Sequence, residues 1–117
     1  MEPAPIKKTI TFEDFEKLDI RVGTIVSVAE VATSKKLMKL MVDFGDHARS
    51  ILAGIKQERK NTHDIEGKQA LFVLNLPEKK MAGEVSQGML FDIGYADGLV
   101  PCLAMPETTV PNGTRAG

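Results

Sequence analysis

Lysines are the side chains with the clearest chemical potential in this sequence. Lys79 and Lys80 are adjacent, two residues after Pro77, and Lys35, Lys36 and Lys39 form a second basic group, with Lys56, Arg59 and Lys60 a third. Cations at this density suit phosphate contacts, which position a nucleic acid without reading its bases. The same lysines serve equally well as a solvated surface, so each cluster taken alone leaves both roles open. The net charge of −1 argues against a protein that coats polyanions indiscriminately. The distribution is less even. Residues 1–80 hold 14 of the 15 basic and 12 of the 16 acidic side chains, so an anion site must draw on that part of the chain.

Catalytic chemistry finds less to work with. His47 and His63 lie in polar, turn-like stretches without a cysteine or histidine at metal-ligand spacing, and are expected at the surface with no metal bound. Glu13 and Asp14 are paired carboxylates, but they stand where acids favour the start of a helix. No Walker loop, G-x-G-x-x-G or G-x-S-x-G pattern occurs. The expectation is a protein that is not an enzyme and has no cofactor. The single cysteine, Cys102, forms no internal disulfide and fits a reducing cytoplasm. Its neighbours Leu99, Val100, Leu103 and Ala104 are apolar, so a buried, inert thiol is expected rather than a reactive one.

These residues need a scaffold, and 117 residues suffice for one domain with a core of its own. Residues 1–10 read as a flexible arm without the apolar core of a signal peptide, and residues 11–117 as one domain. The charge-free tract 99–106 is too short to span a bilayer and is broken by Pro101. Thr11-Phe12-Glu13-Asp14 predicts a capped short helix over 11–17, packing Phe12, Phe15 and Leu18 on the body.

Strands are expected over 19–28, 37–44, 49–53, 69–76 and 89–93, with a further one over 99–104. Gly23 marks a bulge or bend in the first. In the second, Met38, Leu40, Val42 and Phe44 share one face. Residues 69–76 are apolar on both faces, which implies cover from a second layer or a partner subunit. Residues 55–64 read as a turn or short helix between the third and fourth strands. This order predicts an all-β Greek-key barrel with short helices and extra terminal strands. Periodicity does not choose among small barrels.

Several spaced segments resemble one family, the tRNA-binding OB-fold domains. Phe15-Glu16-Lys17-Leu18-Asp19-Ile20-Arg21-Val22-Gly23-Thr24-Ile25 resembles its opening strand, and Arg49-Ser50-Ile51-Leu52-Ala53-Gly54-Ile55 its third. Lys36-Leu37 with Leu40 and Val42-Asp43-Phe44-Gly45 resembles the second. Asn75-Leu76-Pro77-Glu78-Lys79-Lys80 and Ser86-Gln87-Gly88-Met89 follow in the family's order. The likeness runs over about residues 12–117. The family includes the C-terminal domain of bacterial methionyl-tRNA synthetases and the freestanding CsaA proteins, and with no synthetase catalytic domain present the chain resembles the freestanding members. A His-Pro pair frequent in the family is replaced by Ala32-Thr33-Ser34-Lys35, and its Lys-Leu-Tyr by Lys36-Leu37-Met38.

The resemblance implies a five-stranded OB-fold barrel that forms a homodimer and binds the outer corner of folded tRNA. It carries over Asn75, Lys79, Lys80, Ser86 and Met89 as tRNA-binding residues, to which Lys35 and Lys36 are added. The alternative it implies is a CsaA-like chaperone that holds unfolded peptides, and a third role is an adaptor for an aminoacyl-tRNA synthetase. With no tryptophan and one tyrosine, few aromatics are left for stacking single-stranded bases. Recognition by shape and phosphates fits better.

Overall fold

A computed structural model describes residues 2–56 and 59–117. Positions 1, 57 and 58 lie outside it, so the expected arm and the expected turn over 55–64 are described only in part. The chain turns first into α1 (Phe12–Glu16), where the Thr11 hydroxyl accepts from the Asp14 amide at 3.1 Å, the cap its sequence predicts. The expected packing of this helix is not found. None of its residues is buried, and Phe12 is 86% and Phe15 47% exposed.

The barrel is built on β1 (Ile20–Glu30), β2 (Met38–Asp43), β3 (Ala48–Ala53) and β4 (Gln69–Val73), with a 3-10 turn at Thr62–Ile65 between the last two. All pairings are antiparallel, and β1 lies between β2 and β4. Alternation holds in β2, where Met38, Leu40 and Val42 point inward beside Phe44, and Phe44 meets Phe72 edge-on at 5.6 Å. Each such side chain removed from water contributes about 1.5–3 kcal/mol.

In β1 the inward set changes along the strand. Ile20 and Val22 are buried, then Ile25 and Val28, while Val26 is exposed. A register shift against β2 between Ile25 and Ser27, two residues beyond the glycine expected to mark it, accounts for the change from Ile25 to Val28. Gly23 has a different use. A Cβ there would stand 2.6 Å from Val42 Cγ1 and 2.7 Å from the Phe44 ring, so the bare backbone admits the core.

Past Thr24, β1 leaves β4 and its amides need other acceptors. Ile25 N donates to Lys68 O at 2.9 Å and Val28 N to the Glu66 carboxylate at 2.8 Å. The amide of Val28, with His63 beside it, holds the Glu66 carboxyl below its usual 4.5. A lowered folded value means the contact stabilises fully above the ordinary glutamate range and is lost as pH falls through that lowered value. Glu66→Gln is therefore expected to be less stable than wild type near neutrality, with the gap closing below about pH 4.5 when urea unfolding is followed across pH.

After β4 come a hairpin of β5 (Lys79–Met81) and β6 (Glu84–Ser86), then β7 (Met89–Leu90), which pairs with β4. A second small hairpin joins β8 (Asp92–Ile93) to β9 (Cys102–Leu103), and β10 (Arg115–Ala116) covers the start of β1. The run expected over 89–93 is thus split, and β4 ends at Val73, leaving Leu76 exposed. Cys102 is a correction: it is exposed. Only one side of its strand meets the core: Leu103 packs against it and Ala104 is buried, while Cys102 and the preceding Leu99 and Val100 are exposed.

Side chains close the barrel where backbone pairing stops. Between β3 and residues 86–88, Gln87 N donates to Ser50 O at 2.8 Å, but the return bonds are made by side chains. Ser50 N donates to the Gln87 side-chain oxygen and Leu52 N to the Ser86 hydroxyl, both at 3.0 Å. This strand order and closure make the all-β OB-like barrel that the sequence predicts. Among the described residues no helix is long and apolar enough to cross a membrane.

Candidate functional site

The β5–β6 hairpin turns through Ala82 and Gly83, both at positive φ, 51° and 79°. Two central residues of this kind make the primed turn that suits a two-residue hairpin. Ala82 is strained there, because its Cβ crowds the backbone in the left-handed region at a cost of roughly 1–2 kcal/mol. Ala82→Asn, which creates the favoured Asn-Gly pair, is expected to raise stability by about 1 kcal/mol. The check is a thermal midpoint a few degrees higher.

Lys79 and Lys80 lie on this ribbon, where successive side chains point to opposite faces. Lys79 stands opposite Ser86 and Lys80 opposite Val85. Both lysines are exposed, and neither meets a carboxylate within ion-pair distance among the described residues. The loop before β2 is brought beside the hairpin. Thr33 Oγ1 donates to Ala82 O at 2.9 Å, and Lys39 Nζ meets Glu84 Oε1 at 3.0 Å. The exposed Lys35 and Lys36 belong to that loop, which is pinned by the Ser34 hydroxyl accepting from Lys36 N and Leu37 N. Lys56 Nζ donates to Ser34 O at 3.0 Å. Two basic segments more than forty residues apart therefore lie side by side.

Ser86 is 2% exposed, and its hydroxyl both accepts from Leu52 N and donates to Gly88 O at 2.9 Å. That leaves it no surface to offer a ligand in this conformation; it holds the barrel seam under the hairpin. Met89 goes the other way. It is 47% exposed although it lies on a strand, so its thioether is available for an apolar contact. Asn75 joins the end of β4 to the approach to β1: its side-chain oxygen accepts from Asp19 N at 2.8 Å and its amide donates to Lys17 O. Asp19 is held below the usual aspartate range, chiefly by the hydrogen bond from Arg21, whose Nε is 2.9 Å away.

Arg49 was absent from the sequence-derived set. Its Nη1 donates to Leu74 O at 2.9 Å and Gln87 O at 3.0 Å, and its Nε to His47 Nε2 at 2.9 Å. The guanidinium thus ties Leu74, which precedes Asn75, to Gln87, two residues before Met89. Nothing local predicts this, because the partners are 25 and 38 positions away.

Two groups of apolar side chains are also exposed. Ile10, Phe12 and Phe15 line a shallow cleft of about 320 Å³ at α1. Phe91, Ile93, Tyr95, Leu99 and Val100 are exposed around the β8–β9 hairpin. Contiguous apolar surface of this kind marks association sites.

Residues 20–115 match the family described as "Putative tRNA binding domain". A methionine–tRNA ligase of Porphyromonas gingivalis is 39% identical over 114 residues, which is 97% of this chain but 16% of that protein. The ligase of Archaeoglobus fulgidus is 40% identical over 109 residues, again 16% of its length. The chain therefore spans about a sixth of these curated relatives. Among solved structures, a MetRS related protein from Pyrococcus horikoshii is 35% identical, with a TM-score of 0.85 over 95% of this chain and 100% of that one. The chaperone CsaA from Bacillus anthracis is 32% identical, with a TM-score of 0.81 over 94% and 100%.

Proposed function

The chain belongs to the tRNA-binding domain family, and from that premise we propose that it binds folded tRNA in the cytoplasm without catalysing a reaction. The reading rests on one observation: Lys35 and Lys36 are brought beside the hairpin of Lys79 and Lys80 by the contact from Thr33 to Ala82. Four exposed ammonium groups on rigid mounts suit phosphates converging from different strands of a folded RNA. Met89 adds an apolar contact and Asn75 a polar one at the margin, while Ser86 and Arg49 keep the supporting backbone in place. The test is a binding titration across salt with tRNA, a duplex RNA and a single strand. Tighter, steeply salt-dependent binding of tRNA is expected. Equal affinity for all three would refute recognition by shape.

Partner copies follow from the apolar regions. We assign the exposed surfaces of α1 and the β8–β9 hairpin to a homodimer contact, which gives Phe12, Phe15 and Tyr95 the cover they lack in one chain. A sedimentation coefficient fitting only the 12.8 kDa chain at micromolar concentration would contradict it. The likeness to CsaA favours a second reading, in which the same surfaces hold unfolded peptides. An adaptor role beside a synthetase is a third, favoured by the ligase relatives. Suppression of client aggregation without tRNA binding would favour the peptide reading over the first.

A further inference from the structure

The basic surface contains one carboxylate that is actively engaged. Glu84 Oε1 lies 3.0 Å from Lys39 Nζ, and both side chains are more than a third exposed. Glu84 stands opposite Met81, diagonally across the same hairpin face from Lys79. An ion pair in such contact with water contributes little to stability, so support of the fold is a weak account of its placement. Glu78, the other acid on this segment, is exposed and has no ion-pair partner among the described residues.

Resting on the tRNA-binding reading, we propose that Glu84 is a specificity-determining residue that neutralises Lys39 and so raises the phosphate density a ligand must present. Lys39 sits at the junction of the two basic segments, on β2 between the loop bearing Lys35 and Lys36 and the hairpin bearing Lys79 and Lys80. With its charge occupied, the four outer lysines are left to make the first contacts. A duplex or a single strand lays its phosphates along one line and reaches few of these cations at once. A folded corner presents phosphates from several strands together and has the field to displace the carboxylate from Lys39. Glu84 therefore disfavours the simpler polyanions more than it disfavours the folded one.

The experiment compares wild type, Glu84→Gln, Lys39→Gln and the double variant in titrations against tRNA and a short RNA duplex, each across salt. Glu84→Gln keeps the shape of the side chain and the backbone pairing of the hairpin. It is expected to gain roughly threefold for tRNA and tenfold for duplex at low salt, with the duplex slope steeper by about 0.7–0.9, the signature of one added phosphate contact, and the tRNA slope unchanged because tRNA already reaches Lys39. Adding Lys39→Gln is expected to erase both gains. Three results overturn the proposal: no gain in Glu84→Gln, an equal gain for both RNAs, or a gain that survives loss of Lys39. A fall in affinity together with a lower thermal midpoint also overturns it, because the carboxylate would then be a strut for the hairpin. If wild type binds neither RNA but Glu84→Gln binds both through Lys39, masking is supported and the tRNA reading falls. If no variant binds, both fall.

Discussion

Reversing both hairpin charges, Lys79→Glu with Lys80→Glu, is expected to weaken tRNA binding about a hundredfold or more at low salt. The logarithmic salt dependence should become shallower by roughly 1.5, two contacts at 0.7–0.9 each. The reversal adds repulsion to the loss of attraction, which is why it exceeds what neutral substitutions would do. Both side chains are exposed and unpaired within the described residues, so no ion pair of the fold is lost with them. Thermal unfolding should therefore be unchanged, separating a binding defect from a folding one. Because the lysines point to opposite faces of the ribbon, each single reversal should account for only part of the loss. Wild-type affinity in the double variant would remove the hairpin from the interface.

The second large effect is on stability. Gly88 sits at φ 142°, and a Cβ there would lie 2.9 Å from Val73 O and 3.5 Å from Ile51 Cδ1. The nearest obstacle is backbone of a central strand, which does not yield as a flexible side chain does. Backbone strain in such a region costs about 1–3 kcal/mol, and the forced shift of β7 from β4 adds to it. Gly88→Ala is expected to lower stability by about 3 kcal/mol, a large share of the margin of a small domain. In urea the midpoint should fall with the slope preserved. Binding measured well below that midpoint should weaken too, since Met89 is the next residue and Gln87 O receives Arg49. A midpoint within error of wild type would show that β7 relaxes more freely than its packing implies.

How much of this was legible beforehand depends on the range over which each feature is decided. The Thr11 cap and the inward face of β2 are set by neighbours within a few residues, and their patterns were readable. Phe12, Phe15 and Cys102 were misplaced for one reason. Hydropathy says that a side chain gains by leaving water, not whether its cover comes from its own chain. The shift in β1 was legible as an irregularity near Gly23 but not as a position, because it depends on where β4 departs and on the acceptors Glu66 and Lys68 provide. At the site, the lysine clusters were visible and their juxtaposition was not. It depends on long-range contacts such as that of the Thr33 hydroxyl, which reaches a carbonyl 49 positions away. Ser86 was legible as part of a motif, but not as a buried bridge.

That bridge has a consequence for how the protein can vary. A ladder of main-chain bonds, like that between β2 and β3, is indifferent to residue type, so its outward positions are free to drift. The joint at Ser86 and Gln87 is written in side-chain atoms, and it can be kept only by keeping those identities or by replacing them together. A short string of letters there records architecture, and a reader searching for ligand contacts will meet it first.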